Sequence, residues 1–367
     1  MTHIVVLGAG YSGQLAANLA ARRLDAEVTV VNERDRFVER VRLHQLAAGQ
    51  ELREHKLADL LRKSGARLVV DRVRSIDTSA HAVILESGEP IHYDTLIYAL
   101  GSGPDLESVP GVAAHAHPVT GAEQASRLRA RLSDGGTVTV VGGGLTGIEA
   151  STELAESYPE LKVRLLTGDA FGSRLSTRGR AYLRSTFKRL GIEVRDSVQV
   201  TEVRADGVVL AGGEHMPSDV VVWTTGFTVP ALAREAGLAV DEHGRMLVDE
   251  TMRSVSHPDV YGVGDAASVH VGDQELRMAC ATGLPIAQAA VRAIAARAAG
   301  REPRPMRFRF VNQCISLGRR DGLIQFVHAD DSPREAVLTG RPAALYKELV
   351  VRSALLVQRH PAIPTSF

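Results

Sequence analysis

The chain has 367 residues, 44% hydrophobic and 23% charged, the composition of a soluble globular protein long enough for two or three domains. Lys+Arg and Asp+Glu balance at 43 each and aromatics make up only 4%, so no field favours nucleic acid and no base-stacking surface is expected. The two cysteines, Cys280 and Cys314, argue against a disulfide framework or a zinc site and fit a reducing, cytoplasmic compartment; no 18-residue apolar run and no basic leader precede the first strand, so neither a spanning helix nor a signal peptide is expected.

Three glycine-bearing turns punctuate the chain: GAGYSG at 8–13, GGGLTG at 142–147 and YGVGDAA at 261–267. In this order they read as one flavin held at both ends, with a nicotinamide domain inserted between. His3 to Leu7 is a short apolar strand, and the first turn leads from it into an Ala/Leu-rich helix reaching about Arg23. Strand, G-x-G-x-x-G and helix in that order suit a dinucleotide pyrophosphate. Gly8 permits the tight turn, Gly10 removes a Cβ that would block the phosphates, and Gly13 lets the helix pack on the strand. The helix start at Tyr11 and Ser12 offers free N–H groups and a positive dipole end.

The next strand, Glu27 to Val31, should end at a residue that hydrogen-bonds an adenosine ribose. Asn32 and Glu33 both stand there; Glu33 is the first choice, with Asn32 nearly equal, since one step along a strand turns the side chain to the other face. Arg34 to Gln50 is dense in arginine. It reads either as a solvated face or, through Arg42 or His44, as a contact with the flavin or its phosphates. No C-x-x-x-x-C occurs there, which excludes a redox-active disulfide beside the flavin. Leu57 to Lys63 is a helix; Arg67 to Asp77 and His81 to Glu86 alternate as in a small antiparallel sheet, where the backbone near Arg72 and Val73 is placed to hold an adenine. A buried strand then ends in Ala99-Leu100-Gly101-Ser102, with Ala99 and Gly101 among the cofactor-binding positions, and Pro104 and Pro110-Gly111 mark a linker.

Thr137 to Val141 repeats the pattern and runs into Gly142, Gly144, Thr146 and Gly147, then a helix from Ile148 to Ser157. One lone glycine fingerprint is weak; two in the right context indicate two dinucleotide sites. Glu149 lies on the first turn of that helix. It is either a simple N-terminal charge or a catalytic residue that points into the cleft and orients a nicotinamide or tunes the flavin. The strand Lys162 to Leu166 ends at Thr167, where a glutamate would favour NADH and an arginine cluster NADPH; Arg174 and Arg178 follow, and the choice stays open. Arg180 to Leu190 is helical, and Trp223 to Phe227, with Gly226, closes the domain.

Gly264-Asp265 ends a buried strand, where the carboxylate can accept from ribityl hydroxyls. Met278 to Gly283, including Ala281, begins a helix running from Leu284 to Ala298, whose N-terminus would face the flavin edge that gains negative charge. Cys280 is read as a packed small residue. Phe308 to Val311, Ile315 to Leu317 and Leu323 to Val327 read as strands. Ala343 to Arg359 is an amphipathic basic helix with an apolar face of Leu345, Leu349, Val350, Leu356 and Val357, and with Lys347, Arg352 and Arg359 as cations. Docking of that face on the protein itself is expected, with weak contact to a membrane surface as the alternative.

These residues resemble the pyridine nucleotide–disulfide oxidoreductase superfamily over most of the chain: GAGYSG, YALGS at 98–102, VVGGGLTGIEAS at 140–151, WTTGF at 223–227 and YGVGDAA. Within it the chain looks most like the disulfide-free branch of type II NADH dehydrogenases and apoptosis-inducing-factor-like quinone reductases. The resemblance implies an α/β fold of two Rossmann-like domains. The FAD-binding domain would be discontinuous, 1–111 and 245–305; the NAD(P)H-binding domain, 112–244, would be inserted in it; and a small α+β piece, 306–367, would shape the acceptor site. It implies FAD at the first turn and Asp265, NADH or NADPH at the second, and hydride passing to flavin N5 and on to a quinone-like small molecule. Asn32 and Thr167 depart from the expected acids, and the C-terminal piece is short. A reductase of a ferredoxin-like carrier, a tailoring enzyme of secondary metabolism and a slow redox-sensing FAD/NAD(P)-binding protein remain alternatives. A homodimer, and a peripheral position at the inner face of the membrane, are further expectations.

Overall fold

The computed structural model describes residues 2–132 and 135–365; the Cys280 side chain also lies outside the description. The helices that carry the glycine turns and close the site are α1 (Tyr11–Arg23), α2 (Leu43–Ala47), α3 (Leu145–Ser157), α4 (Cys280–Ala298) and α5 (Gly340–Arg359).

Two parallel five-stranded sheets have the same plan. In the first the order is Val260–Gly262, Thr95–Tyr98, Thr2–Leu7, Ala26–Asn32, Arg67–Val70. In the second it is Ala116–Pro118, Val220–Trp223, Thr137–Val141, Lys162–Thr167, Glu193–Asp196. Both glycine turns follow the central strand, where the strand order reverses and an open α/β sheet leaves its crevice. The second sheet lies in the sequence between the last two strands of the first. The chain crosses at two short segments, Gly103–Pro104 and Phe227–Thr228, which pair antiparallel.

The β-branched runs in these strands reflect burial on both faces. Ile4 and Val6 pack with Leu15 and Leu19 of α1 and Ile286 and Ala290 of α4. Val5 and Leu7 turn the other way, onto a three-stranded antiparallel sheet of Val73–Asp77, Ala82–Leu85 and Pro90–His92. The second sheet repeats this. Val138 and Val140 pack on Ile148 and Leu154 of α3, while Val141 meets an antiparallel sheet built from Val200–Arg204, Gly207–Leu210 and His215–Pro217.

The C-terminal piece is an antiparallel sheet, Asn312–Ser316, Gly322–Val327 and Pro333–Thr339, followed by α5. It bridges both cores. Met306, Phe310, Ala354 and Val357 join the α1/α4 core, whereas Ile315, Leu317 and Leu323 join that of α3.

Four local expectations are corrected. Arg67–Val70 belongs to the parallel sheet, paired with Thr29–Asn32, and the antiparallel sheet starts only at Val73; continuous alternation hid the change of partner at Asp71-Arg72. Phe308 to Val311 forms no strand: Phe308 and Phe310 stack edge-to-face at 4.9 Å, and pairing begins at Asn312. The helix expected from Leu284 begins at Cys280. The face of α5 that docks is Ala343, Val351, Ala354, Val357 and Gln358, so of the five apolar residues assigned to it only Val357 is buried. Small side chains let the helix lie close: a Cβ on Gly322 would meet the Ala344 amide nitrogen at 2.9 Å.

The helix–strand contact at each turn has no spare volume. A Cβ on Gly13 would sit 2.0 Å from the Gly8 carbonyl oxygen. Gly13→Ala is therefore expected to lower stability by about 1–3 kcal/mol in urea unfolding. An unchanged midpoint would contradict this packing.

Candidate active site

The first glycine turn is shaped to leave one place open. Gly8 has φ +91°, a left-handed conformation, with the Ala99 carbonyl oxygen 2.5 Å from where a Cβ would stand. A Cβ at Gly10, in contrast, would have nothing within 4 Å. Gly10 is the N-cap of α1 and no side chain caps the helix, so its first amides face that opening. The second turn repeats the arrangement: Gly142 has φ +119°, Gly147 packs on the Gly142 carbonyl, Gly144 faces open space, and α3 is uncapped ahead of Thr146. Both openings fit a pyrophosphate.

The remaining parts of the first site converge on Ser12. A Cβ on Gly264 would lie 2.8 Å from Ser12 Oγ, and one on Gly283 would lie 2.6 Å from it. The Gly-Asp turn and the start of α4, with Ala281, therefore meet the first glycine turn. Asp265 accepts a hydrogen bond from Ser102 Oγ at 2.7 Å on one carboxylate oxygen, Oδ2. Arg40 Nη1 stands 3.6 Å from the same oxygen and donates to the Ser102 carbonyl at 2.8 Å. Gly101 is left-handed and faces open space.

Asn32 and Glu33 are separated by their surroundings. Asn32 Oδ1 accepts from the Ala9 amide at 2.8 Å, bracing the glycine turn, while Glu33 is exposed and pairs with Arg34. Val73 is buried opposite Leu85, at the start of its strand. Arg42 does not reach Asp265. Its guanidinium donates to Glu39, Gln45 and, at 2.8 Å, to Glu348 of α5. Arg40, two residues earlier, is the residue that sequence reasoning missed, because one arginine among several in a charge run carries no signal of its own. Thr167 is buried over the second turn: its Oγ1 lies 2.2 Å from where a Cβ on Gly143 would stand, and it donates to the Asp169 carbonyl. Arg174 and Arg178 are exposed, and the helix start at Thr177 and Arg178 is closed by Glu335. Gly226 is left-handed against Asp105, at the crossing between the two sheets.

Glu149 is the centre of a buried polar cluster. Its Oε1 accepts from the Ser316 amide at 2.9 Å and from Lys347 Nζ of α5, and its Oε2 lies 3.8 Å from His44 Nδ1 of α2. Burial pushes the carboxyl up, but Lys347, His44 and Ser316 outweigh it and hold it below the ordinary carboxylate range. Burial drives His44 down to about 4, against the pull of Glu149, so the imidazole is neutral at pH 7; its Nε2 has no partner among the described residues. Lys347 also donates to the Cys314 carbonyl, and burial pushes the Cys314 thiol up to about 11, which makes it a poor nucleophile. Four segments distant in sequence thus supply one site, and from the sequence only Glu149 and His44 stood out.

Residues 2–293 match the pyridine nucleotide-disulphide oxidoreductase family, and the chain belongs to it. It is an FAD-containing, NAD(P)H-dependent oxidoreductase. An NADH dehydrogenase-like protein of Mycobacterium tuberculosis is 32% identical over 314 residues, 78% of each chain. A demethylphylloquinone reductase of Synechocystis is 24% identical over 370 residues, 94% of this chain and 91% of that one. The fold is shared with the sulfide:quinone oxidoreductase of Aquifex aeolicus, at a TM-score of 0.82 and 20% identity, over 99% of this chain and 92% of that one.

Two outcomes follow from this geometry. Gly10→Ala is expected to leave the unfolding midpoint of the apoprotein unchanged while lowering the flavin-to-protein ratio after purification; a full complement of flavin would contradict the pyrophosphate assignment. His44 titrates lower in the folded chain, so the stability gained by keeping it neutral is complete above about pH 6.5 and is lost as pH falls toward about 4. The loss amounts to at most about 3 kcal/mol. Urea midpoints across that range should fall less steeply in His44→Gln, and identical slopes would contradict it.

Proposed function

We propose that this protein passes reducing equivalents from NAD(P)H through FAD to a quinone, without a redox-active disulfide, at a membrane surface. The carrying observation is the outer face of α5. Leu345, Leu349, Val350 and Leu356 are 68%, 67%, 42% and 49% exposed on one helix, beside the cations Arg352 and Arg359. Such a stripe fits the acyl boundary of an anionic bilayer. No helix among the described residues is long and apolar enough to cross a membrane, so contact would be peripheral. A cavity of about 480 Å³ opens under the same helix, lined by Arg42, His55, Glu348, Arg352, Leu355 and Leu356, among others. Glu39, Glu51, Arg53 and Arg359 also line it, so charged residues dominate a recess that reaches the surface beside Leu356. The name of the Synechocystis relative supports a quinone as the acceptor.

The residues divide the work. When bound, FAD supplies hydride acceptance from nicotinamide and release of electrons to the acceptor. The openings at Gly10 and Gly144 would hold the two pyrophosphates, and Asp265, fixed by Ser102 and Arg40, would offer its second oxygen to the ribityl chain. The start of α4 would offer its positive dipole end to the flavin. Lys347 is the proton donor to the acceptor oxygen, and Glu149 holds it in place. Thr167 neither accepts strongly from a ribose 2′-hydroxyl nor pairs a 2′-phosphate, so discrimination between NADH and NADPH should be weak.

Anaerobic stopped-flow of the purified protein tests this. NADH and NADPH should bleach the flavin band at rates within about tenfold of each other, a gap below about 1.4 kcal/mol. The reduced protein should then be reoxidised faster by a short-chain quinone than by a ferredoxin. Faster reoxidation by ferredoxin would replace the quinone with a carrier protein. Binding to anionic but not neutral vesicles, lost in Leu345→Glu/Leu349→Glu, tests the membrane contact.

A further inference from the structure

Reduction of a quinone to a quinol by NAD(P)H needs two electrons and two hydrogens. NAD(P)H provides both electrons and one hydrogen as hydride; the second hydrogen is a proton from solvent. If Lys347 gives that proton to the acceptor, as read above, Lys347 must be recharged where its side chain is only 15% exposed. Its neighbours do not touch water freely. Glu149 is 8% exposed, and neutral His44, 4% exposed, holds no spare proton near pH 7.

One more buried acid lies next to this pair. Glu153 is one helical turn beyond Glu149 on α3 and is 1% exposed. Residues four apart on a helix have Cβ atoms about 5–6 Å apart, a gap that a bridging water closes. Glu153 Oε1 takes two donors, Gln50 Nε2 and, at 2.6 Å, Arg319 Nε, whereas Oε2 is buried with no partner among the described residues. Arg319 follows the strand that supplies Ser316 and has its side chain 49% exposed, so it caps Glu153 on the solvent side. Its own amide is held by Glu156, a further turn along the same helix face. Glu149, Glu153 and Glu156 thus form a file from the site to the surface.

We propose that Glu153 is the proton carrier between solvent and the Glu149–Lys347 pair. The proton rides on Oε2. Loss of a proton from Lys347 removes the cation that keeps Glu149 ionised, and burial then makes Glu149 the better base. The O–H bond on Glu153 breaks, a proton passes through water to Glu149 and on to Lys347, and Glu153 regains a proton from solvent past Arg319. No oxidant or reductant beyond NAD(P)H and the quinone is involved. The groups facing Glu153 are Glu149 and Glu156 on its own helix, Arg319 from the turn after Ser316 and neutral Gln50 from the segment after α2. Burial, reinforced by Glu156 and Glu149 and opposed by Arg319, pushes its carboxyl up to about 7, where a carrier exchanges protons with neutral water most readily. A fixed ion pair to Arg319 would need none of this.

This inference rests on the quinone reading, and the test separates the two. Reduced wild-type, Glu153→Gln and Glu153→Asp proteins are reoxidised by a water-soluble quinone or by ferricyanide, which takes electrons without protons. The expected result is quinone reoxidation slowed on the order of tenfold or more in Glu153→Gln, with loss of the wild-type pH dependence near neutrality. Ferricyanide rates should be unchanged, and Glu153→Asp should recover part of the quinone rate. In the infrared, a carboxylic-acid carbonyl band titrating near neutral pH should be present in wild type and absent from Glu153→Gln. Equal slowing with both acceptors, an unchanged pH profile, or a surviving infrared band would overturn the proposal. Wild-type protein that reduces ferricyanide but no quinone would overturn the acceptor assignment, and this role with it.

Discussion

A buried carboxylate cannot stay ionised alone. Glu149 sits on a helix that opens at a glycine turn, and its charge is tolerated because Lys347 and the Ser316 amide meet it there. Both partners come from the C-terminal piece, nearly 170 and 200 residues further on, and His44 arrives from α2, which precedes the second sheet in the sequence. One charge therefore draws three regions together. The packing agrees: residues of the last sheet join the core around α3, while the end of α5 joins the core around α1 and α4. Removing Lys347 leaves Glu149 buried and without its cation.

Around that centre the chain uses one device twice. A central strand ends in a left-handed glycine, the backbone turns close against the segment that follows the neighbouring strand, and a helix starts with no side chain over its first amides. The open space above Gly10 and Gly144 is thus paired with unsatisfied N–H groups, and an anion there satisfies them. Asp265 and the start of α4 extend the first site lengthwise, with Ser12 as the point where the parts touch.

The sequence made the repeated parts legible because their constraints are local. A tight turn, a close helix–strand contact and a phosphate each demand glycine at fixed spacing, so both turns, the alternating β-rich runs and Asp265 could be read from neighbours alone. The remainder depended on distant partners. Nothing in CISLGRRDG or AALYKELVV shows that Ser316 and Lys347 meet Glu149, or that Arg319 caps Glu153. Arg42 and Arg40 are two residues apart in one charge run, and only the fold shows that Arg40 turns to Asp265 and Arg42 to Glu348. In α5 the periodic leucines suggested a docked face, but the alanines opposite them pack more closely, and the leucines were left outside. Periodicity shows that a helix has two faces; which one is buried depends on what it meets.

The claim most exposed to test is that the Glu149–Lys347 pair serves the acceptor and not the nicotinamide. The direct measurement is rapid mixing that separates the two half-reactions in Lys347→Met, with Glu149→Gln/Lys347→Met included to remove the stranded charge. The account predicts bleaching of the flavin by NAD(P)H at close to the wild-type rate in both variants, with reoxidation by quinone slower on the order of a hundredfold. Slowed bleaching with normal reoxidation would place the pair on the nicotinamide side and contradict it.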